Sequence, residues 1–161
     1  MIRSFLAIEL SRMILKRIEE VQGDLKSSHA DVRWVSPEKI HLTLKFLGEI
    51  SKEKLQQVIA ALEIAAKERP AFEISVKDIG AFPKIDYPRV IWVGLDKGAS
   101  ESRELAGKID EELSKIGCEK ETRPFAAHLT IGRVRSPKNK EALKEKITAY
   151  SLQLIAKPQL I

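Results

Sequence analysis

Two copies of one short string restrict the folds open to this chain more than any other feature of its sequence. The strings are His41-Leu-Thr-Leu44 and His128-Leu-Thr-Ile131. The number of residues from Arg3 to the first string is nearly the same as the number from Arg89 to the second. In both halves the pattern predicts a strand, then a helix, then a second strand that carries the string. One such string has little meaning, but two at matching depth indicate an internal duplication with a period of about 87 residues.

Apolar spacing predicts that strands alternate with helices along both halves. Ser11 and Ser51 are suited to cap the first two helices, and Gly117 to end the third. Residues 80–88 hold glycine, aspartate and two prolines, which predicts a loop or a boundary between lobes. The predicted strands are 2–8, 32–35, 40–47, 72–79, 90–95 and 127–134, and the predicted helices end near residues 26, 69, 116 and 148. Such alternation is typical of an α/β or α+β fold.

The two strings combine residues that are suited to acid–base chemistry at phosphorus. Side chains alternate along a strand, so His41 and Thr43 share a face, as do His128 and Thr130, about 6–7 Å apart within each pair. A neutral imidazole can take a proton from water, and a protonated one can give a proton to a leaving oxygen. Threonine hydroxyls can donate to phosphoryl oxygens. A cyclic phosphate could therefore be opened without a metal ion, and we predict no cofactor.

Cations beside the two strings are candidates for phosphate binding, with an ordinary solvated side chain as the alternative. By strand alternation Lys45 shares the face of Thr43 and is expected at the mouth of a cleft, while Phe46 points into the core. Arg133 falls on the face opposite His128, and it reaches the cleft only if Gly132 allows a bulge or a bend. Aromatic residues that could stack on bases, or pack in the core instead, are Phe5, Trp34, Phe46, Tyr87, Trp92 and Phe125.

Charge and composition narrow the class of partner. The net charge is +5, and residues 120–146 alone hold eight Lys or Arg against three Asp or Glu, which indicates a phosphate-bearing partner. No stretch approaches the roughly 20 apolar residues of a transmembrane helix. Cys118 is the single cysteine, so a multi-cysteine zinc site is excluded, and the reducing cytoplasm is the expected location. His41 and His128 could in principle bind a metal, but no acidic or cysteine partner has matching spacing.

Four segments, in the right order over residues 1 to about 135, resemble the RNA 2′,3′-cyclic phosphodiesterases, also called 2′-5′ RNA ligases, of the two-histidine phosphoesterase superfamily. The segments are Arg3-Ser-Phe-Leu-Ala-Ile8, His41-Leu-Thr-Leu-Lys-Phe-Leu-Gly48, Arg89-Val-Ile-Trp-Val-Gly94 and Phe125-Ala-Ala-His-Leu-Thr-Ile-Gly-Arg133. The resemblance implies an α+β, bilobal fold over residues 1–161. Its two antiparallel sheets would be related by a pseudo-twofold axis, with helices outside and a cleft between the lobes.

The resemblance also implies an activity and a role for each residue. The expected reaction is hydrolysis of a terminal 2′,3′-cyclic phosphate to a 2′-phosphate, with possible resealing of 2′-5′ linkages in reverse. By this likeness His41 matches the proton donor to the departing 3′-oxygen and His128 the base that activates water. Thr43 and Thr130 match the hydroxyls that hold the phosphate. The partner is then an RNA end.

Two alternatives and one departure remain at this point. The chain could hydrolyse a small cyclic phosphate instead of RNA, or it could bind RNA without catalysis. The segment from about 150 to 161 departs from the family pattern, so the C-terminal strands are expected to be shortened, replaced or lost. An unpaired sheet edge would then favour self-association, although a monomer is the default expectation.

Overall fold

The computed structural model describes residues 1–150 and 154–161. Within these residues helices and strands alternate, which confirms the α+β class. The strands are β1 (Ile2–Ile8), β2 (Val32–Trp34), β3 (Leu42–Ile50), β4 (Glu73–Lys84), β5 (Tyr87–Leu95), β6 (His128–Val134) and β7 (Leu154–Leu160). The helices are α1 (Arg12–Lys26), α2 (Lys52–Ala66), α3 (Ala99–Lys115) and α4 (Lys140–Ala149), with a 3-10 turn at Pro37–Lys39.

The strands form two antiparallel sheets of unequal size. In the described part of the chain β1 and β3 make a two-stranded sheet, and the other five lie in the order β2-β6-β5-β4-β7. The pairs β1/β3 and β5/β6 correspond, since each places an H-x-T strand antiparallel to the strand that opens its half. The sheets differ in size because β2 and β4, both from the first half, join the larger sheet.

The helices that follow β1 and β5 each pack against the sheet of the other half. The residues of α1 that the spacing predicted to share a face, among them Ile14 and Ile18, are buried in a core formed with β4, β5 and β6. Ile109 and Leu113 of α3 instead pack with α2 and the end of β3. The halves of the sequence are therefore interleaved, and both contribute to each side of the cleft.

Both serine caps form as the sequence predicts. The Ser11 hydroxyl accepts a hydrogen bond from the Ile14 amide at 3.3 Å, and Ser51 accepts one from Lys54 at 3.1 Å. Each side chain satisfies a backbone donor that the first turn of a helix leaves unpaired. The first residues of α1 and α2 follow directly from these caps.

The predicted loop at residues 80–88 is wrong, because this segment is the tip of a β-hairpin. β4 continues through Gly80 to Lys84, and β5 begins at Tyr87 after a two-residue turn. Proline cannot donate to a sheet, but Pro83 and Pro88 face each other beside a register shift, where the regular ladder is already interrupted. The longer hairpin brings Phe82 to the cleft.

The end of the chain adds a strand to the larger sheet. β7 pairs antiparallel with β4, and the backbones of Phe72 and Ile161 exchange hydrogen bonds of 3.0 and 2.6 Å. A complete loss of the C-terminal strands is therefore wrong, because β7 covers the edge of β4, whereas a shortened or replaced tail stays an expectation. β7 is the outermost described strand of this sheet, so self-association through an unpaired edge also stays a prediction. Residues 151–153 of the tail lie outside the described residues.

None of the helices in the described ranges combines the length and apolar character that crossing a bilayer requires.

Candidate active site

Both H-x-T strands open onto one cleft of about 680 Å³. His41 and Thr43 line it from the smaller sheet, and His128 and Thr130 line it from the larger sheet. All four side chains are half-buried, so they are accessible to a ligand while being held by their surroundings. The structure therefore brings together the four residues that the two strings single out.

His41 stands immediately before β3 and is held against an exposed aromatic ring. Its neighbours Ile40 and Leu42 are buried at 4% and 0% exposure, so strand alternation turns the imidazole towards the cleft. The imidazole stacks on Phe5 of β1, with 4.8 Å between ring centroids and 15° between ring planes. Phe5 is 46% exposed, so this side of the site is open to solvent.

His128, the first residue of β6, lies in a more enclosed aromatic site. Trp92 packs on its ring at 4.2 Å between centroids, and Phe82 meets it edge-on at 5.1 Å. Nδ1 is buried with no hydrogen-bond partner among the described residues, which leaves Nε2 as the nitrogen able to meet a ligand. Burial lowers the pKa of His128 below its ordinary value of 6.5, because desolvation disfavours the imidazolium. The ring is therefore neutral at neutral pH and suited to accept a proton.

Gly80 makes room for the tryptophan that supports this histidine. A Cβ added at Gly80 would lie 2.2 Å from Cζ2 of Trp92, a separation that no packed side chain tolerates. Any larger residue at this position would displace the indole that contacts His128. Gly80 belongs to the segment that the sequence assigned to a loop, so its packing role was not anticipated.

Each H-x-T strand contains a bulge at the residue that follows its threonine. In β6, Thr130 and Gly132 pair with two consecutive residues of β5, which leaves Ile131 as an extra residue. In β3, Thr43 and Lys45 pair with two consecutive residues of β1, which leaves Leu44 as an extra residue. An extra residue inverts the alternation of side chains beyond it. The duplication thus preserves a backbone irregularity as well as a string of residues.

The bulges decide where the predicted cations point. Arg133 is exposed and lines the cleft. It could reach the cleft only through a bulge in β6, and that bulge is present at Ile131, next to Gly132. Phe46, which alternation placed in the core, is 72% exposed and lines the cleft. That expectation is wrong because it assumed a regular strand. Phe46 and Arg133 occupy matching positions in the two strands.

A buried glutamine fixes the bulge of β6. The side-chain amide of Gln22, only 2% exposed, donates to the carbonyls of Val35 at 2.8 Å and Ile131 at 2.9 Å. The Val35 amide also donates to the Ile131 carbonyl, at 3.0 Å. The carbonyl of the extra residue, Ile131, therefore accepts two hydrogen bonds, one from a side chain and one from the backbone. Sequence reasoning missed Gln22, although a polar residue on the apolar face of α1 is a detectable signal.

Lys45 lines the cleft but is turned inwards rather than towards its mouth. It is 7% exposed, it forms an ion pair with Asp110 of α3, and its ammonium also donates to the Glu119 carbonyl at 2.8 Å. Asp110 in turn accepts a hydrogen bond from the Glu121 amide at 3.1 Å. This cluster ties β3 to the loop before β6. The expected position at the mouth is wrong because the Leu44 bulge reverses the strand face.

The rest of the cleft carries positive charge that strand patterns did not identify. Arg123 belongs to the basic segment 120–146, whereas Arg103 lies on a polar helix face that gave no specific signal. The exposed cations that line the cleft are Lys39, Arg103, Arg123 and Arg133. Across the described ranges no group of three or more His, Cys, Asp or Glu side chains is placed to hold a metal ion.

The aromatic candidates fall into three groups. Phe46 and Phe125 line the cleft, where Phe5 and Trp92 support the two histidines. Trp34 packs against the core of the larger sheet. Tyr87 is 55% exposed and lines a different, smaller cavity at the start of β5.

Two antiparallel sheets that each present an H-x-T strand to one cleft define a two-histidine phosphoesterase. The sequence model of the LigT-like phosphoesterases matches residues 8–92 and then residues 93–154, so each half contains its own copy of the motif. The chain belongs to the LigT-like phosphoesterase family, as the resemblance predicted.

Named relatives agree with this assignment. The RNA 2′,3′-cyclic phosphodiesterase of Methanocaldococcus jannaschii is 39% identical over 148 residues, which cover 92% of this chain and 80% of the relative. The enzyme of the same name from Methanothermobacter thermautotrophicus is 36% identical over 146 residues, covering 91% of this chain and 78% of the relative. Escherichia coli LigT, solved with 3′-AMP, superposes with a TM-score of 0.67 at 29% identity, over 81% of this chain and 72% of that one.

Proposed function

We propose that this chain hydrolyses the terminal 2′,3′-cyclic phosphate of RNA to a 2′-phosphate, without a metal ion. The observation that carries the proposal is a pair of imidazoles in unlike surroundings on one cleft, His41 beside an exposed ring and His128 enclosed by aromatic side chains. Acid–base catalysis of this kind needs one group that holds a proton and one that lacks it. The unequal surroundings favour His128 as the neutral member.

In the proposed reaction the proton acceptor is Nε2 of His128. It takes a proton from water as the water oxygen bonds to phosphorus. The bond from phosphorus to the 3′-oxygen breaks on the opposite side, and His41 donates a proton to that oxygen. The products are a 2′-phosphate and a free 3′-hydroxyl. Proton exchange with solvent returns both imidazoles to their starting states.

Thr43 and Thr130 are proposed to donate hydrogen bonds to the two non-bridging phosphoryl oxygens. Each lies two residues after its histidine and lines the cleft, which supports a position for its hydroxyl beside the reacting phosphate. Charge builds up on these oxygens as water adds, and fixed donors stabilise it. Arg133 supplies a cation to the same anion. A role for Lys45 in substrate binding stays a prediction, and its buried pairing with Asp110 favours a structural role.

RNA is the substrate class that the cleft supports best. Four exposed cations and the aromatic rings of Phe46 and Phe125 line it, as binding of a single-stranded polyanion requires. The relatives named RNA 2′,3′-cyclic phosphodiesterase support the same choice. Both H-x-T strings are intact, which argues against an RNA-binding module without catalysis. Formation of 2′-5′ linkages in the reverse direction stays a prediction.

One chain supplies both histidines, so we propose that residues 1–161 act as a single bilobal catalytic unit and that a monomer is sufficient. The cytoplasm suits such a protein, because its single cysteine is free and its substrate is RNA.

Product analysis tests the proposal. A short RNA with a 2′,3′-cyclic phosphate end and a nucleoside 2′,3′-cyclic phosphate would be incubated with the protein in excess EDTA. We expect conversion to 2′-phosphate ends, with the RNA preferred. Turnover of the nucleoside alone would instead indicate a small cyclic phosphate as the substrate, and RNA binding without turnover would indicate a non-catalytic module.

A further inference from the structure

A second, smaller cavity of about 130 Å³ lies where β5 starts, β6 ends and α4 begins. It is separate from the cleft, and the reaction proposed above does not use it. Its lining includes Tyr87, Arg89, Val134, Arg135 and Lys140.

The lining of this second cavity is suited to an anion. Arg89, Arg135 and Lys140 contribute three cations, and no carboxylate is among the lining residues. The carboxylate at the hairpin turn, Asp86, forms an ion pair with Lys144 of α4, and that hydrogen bond lowers its pKa. An anion entering the cavity therefore meets cations, while the negative charge of the nearby Asp86 is already paired with Lys144.

An aromatic ring stands beside these cations. Tyr87 is 55% exposed, and the Arg89 guanidinium lies over its ring at 5.8 Å from the centroid. A charged groove with an exposed ring is the combination that single-stranded nucleic acids use, the phosphate meeting cations and the base stacking on the ring. A free inorganic anion would use the cations alone.

The second cavity is reached from the cleft along one strand. Arg133 lines the cleft, and the next two residues, Val134 and Arg135, line the second cavity. Thr130 and Arg135 are five residues apart, and because Ile131 is an extra, bulged residue they span about 13 Å along the strand. A ligand that reaches from the reacting phosphate to this cavity must therefore be longer than one nucleotide.

We propose that the second cavity binds a backbone phosphate of the RNA strand upstream of its cyclic end. Arg89, Arg135 and Lys140 hold the phosphodiester, and Tyr87 stacks on an adjoining base. The identity of the occupant rests on the proposed function, whereas the anion site rests on the cavity and its charges. The site makes the protein select oligonucleotides over mononucleotides, although both carry the same reactive group.

Arg135→Gln and Lys138→Gln form a matched pair that tests this site. Both remove one positive charge from the same basic segment, but Lys138 is exposed and does not line the cavity. For a single strand, each phosphate contact contributes about 0.7 to the slope of log affinity against log salt concentration. One contact therefore raises the affinity at 0.1 M salt about fivefold over its value at 1 M salt. We expect R135Q to lower the ratio of kcat/KM for an oligonucleotide to that for a nucleoside cyclic phosphate about fivefold. K138Q should leave this ratio near that of the parent.

Equilibrium binding keeps this test separate from the proposed reaction. Affinity for an RNA oligonucleotide ending in a 2′-phosphate would be measured between 0.05 and about 0.5 M salt. A slope reduced by R135Q, and by K140Q, but not by K138Q supports the site even if no protein turns over RNA. Equal slopes for R135Q and K138Q would overturn it, as would an equal effect on oligonucleotide and mononucleotide turnover. Competition by inorganic phosphate without any dependence on RNA length would also overturn it, because that result describes a free-anion site.

Discussion

The two H-x-T strands have the same motif and the same bulge, yet they place their histidines in different surroundings. His41 stacks on a ring that is about half exposed, at the edge of a two-stranded sheet. His128 lies between Trp92 and Phe82 on a five-stranded sheet, with Nδ1 buried and its pKa lowered by desolvation. A duplicated motif gives two equivalent groups, and we propose that the difference in burial separates them into a proton donor and a proton acceptor. The roles that the resemblance implied stay a prediction, which the lowered pKa of His128 favours.

The largest expected effect comes from removing either histidine. His41→Ala and His128→Ala should each lower kcat by about 10²- to 10⁴-fold, the range that general acid or base catalysis contributes. His29→Asn is the control, because His29 is exposed and its positive φ of 57° is one that asparagine tolerates. The measurement is single-turnover hydrolysis of a nucleoside 2′,3′-cyclic phosphate, with folding checked by circular dichroism.

The pH profile distinguishes the two roles. In the parent, activity should fall at a pH below 6.5 as His128 becomes protonated. His128→Ala should remove this acidic limb from its residual activity, whereas His41→Ala should keep it. Loss of the acidic limb in His41→Ala, with its retention in His128→Ala, would reverse the assignment of acid and base.

The cations of the two strands should also behave differently. Lys45→Met leaves the partly buried Asp110 without its ion-pair partner, and we expect a loss of about 3 kcal/mol in the free energy of unfolding. Arg133→Gln removes an exposed charge, so its stability should change by less than about 0.5 kcal/mol while KM rises. Urea unfolding and steady-state kinetics on both variants make the comparison. A destabilised R133Q, or a K45M that weakens substrate binding with normal stability, would contradict it.

Packing beneath His128 gives the next effect. Gly80→Ala inserts a methyl group 2.2 Å from the Trp92 ring, and overpacking of this kind costs about 1–3 kcal/mol. Because the displaced indole contacts His128, kcat should fall as well. Gly23→Ala is the matched control: nothing lies within 4 Å of the added carbon, and alanine favours a helix by up to about 1 kcal/mol. If G80A kept the kcat of G23A, Trp92 would not be positioning the histidine.

Features set by local sequence were predictable, and features set by distant contacts were not. The caps at Ser11 and Ser51 depend on hydrogen bonds three residues away, so the helix starts were found correctly. The hairpin at 80–88 was missed because its prolines are tolerated only through the register of a partner strand. For the same reason single-strand alternation misplaced Phe46 and Lys45.

The site shows the same division between local and distant information. Its four central residues could be named from two strings, since the duplication repeats a local pattern. The Gln22 clamp and the Lys45–Asp110 pair join residues far apart in the chain. Periodicity within α1 marks Gln22 as a polar residue on an apolar face, but it does not identify the distant carbonyls that Gln22 contacts. The inverted alternation after each threonine became evident only when the two strands could be compared with their partners.

The smallest expected effect is a dependence of stability on pH that comes from His128. Burial lowers the pKa of His128 in the folded protein, so below about pH 6.5 the unfolded chain takes up a proton that the native site resists. Stability should therefore fall as pH decreases from 7.5 to 5, and above about pH 6.5 the effect should vanish. His128→Gln removes this proton uptake, so the stability of the variant relative to the parent should rise as the pH is lowered. Urea unfolding of parent, H128Q and H29N at pH 5, 6 and 7.5 measures the difference. The difference in the free energy of unfolding between parent and H128Q could instead stay constant over this range. In that case the enclosed aromatic site does not distinguish His128 from His41 electrostatically, and their different roles must come from the substrate.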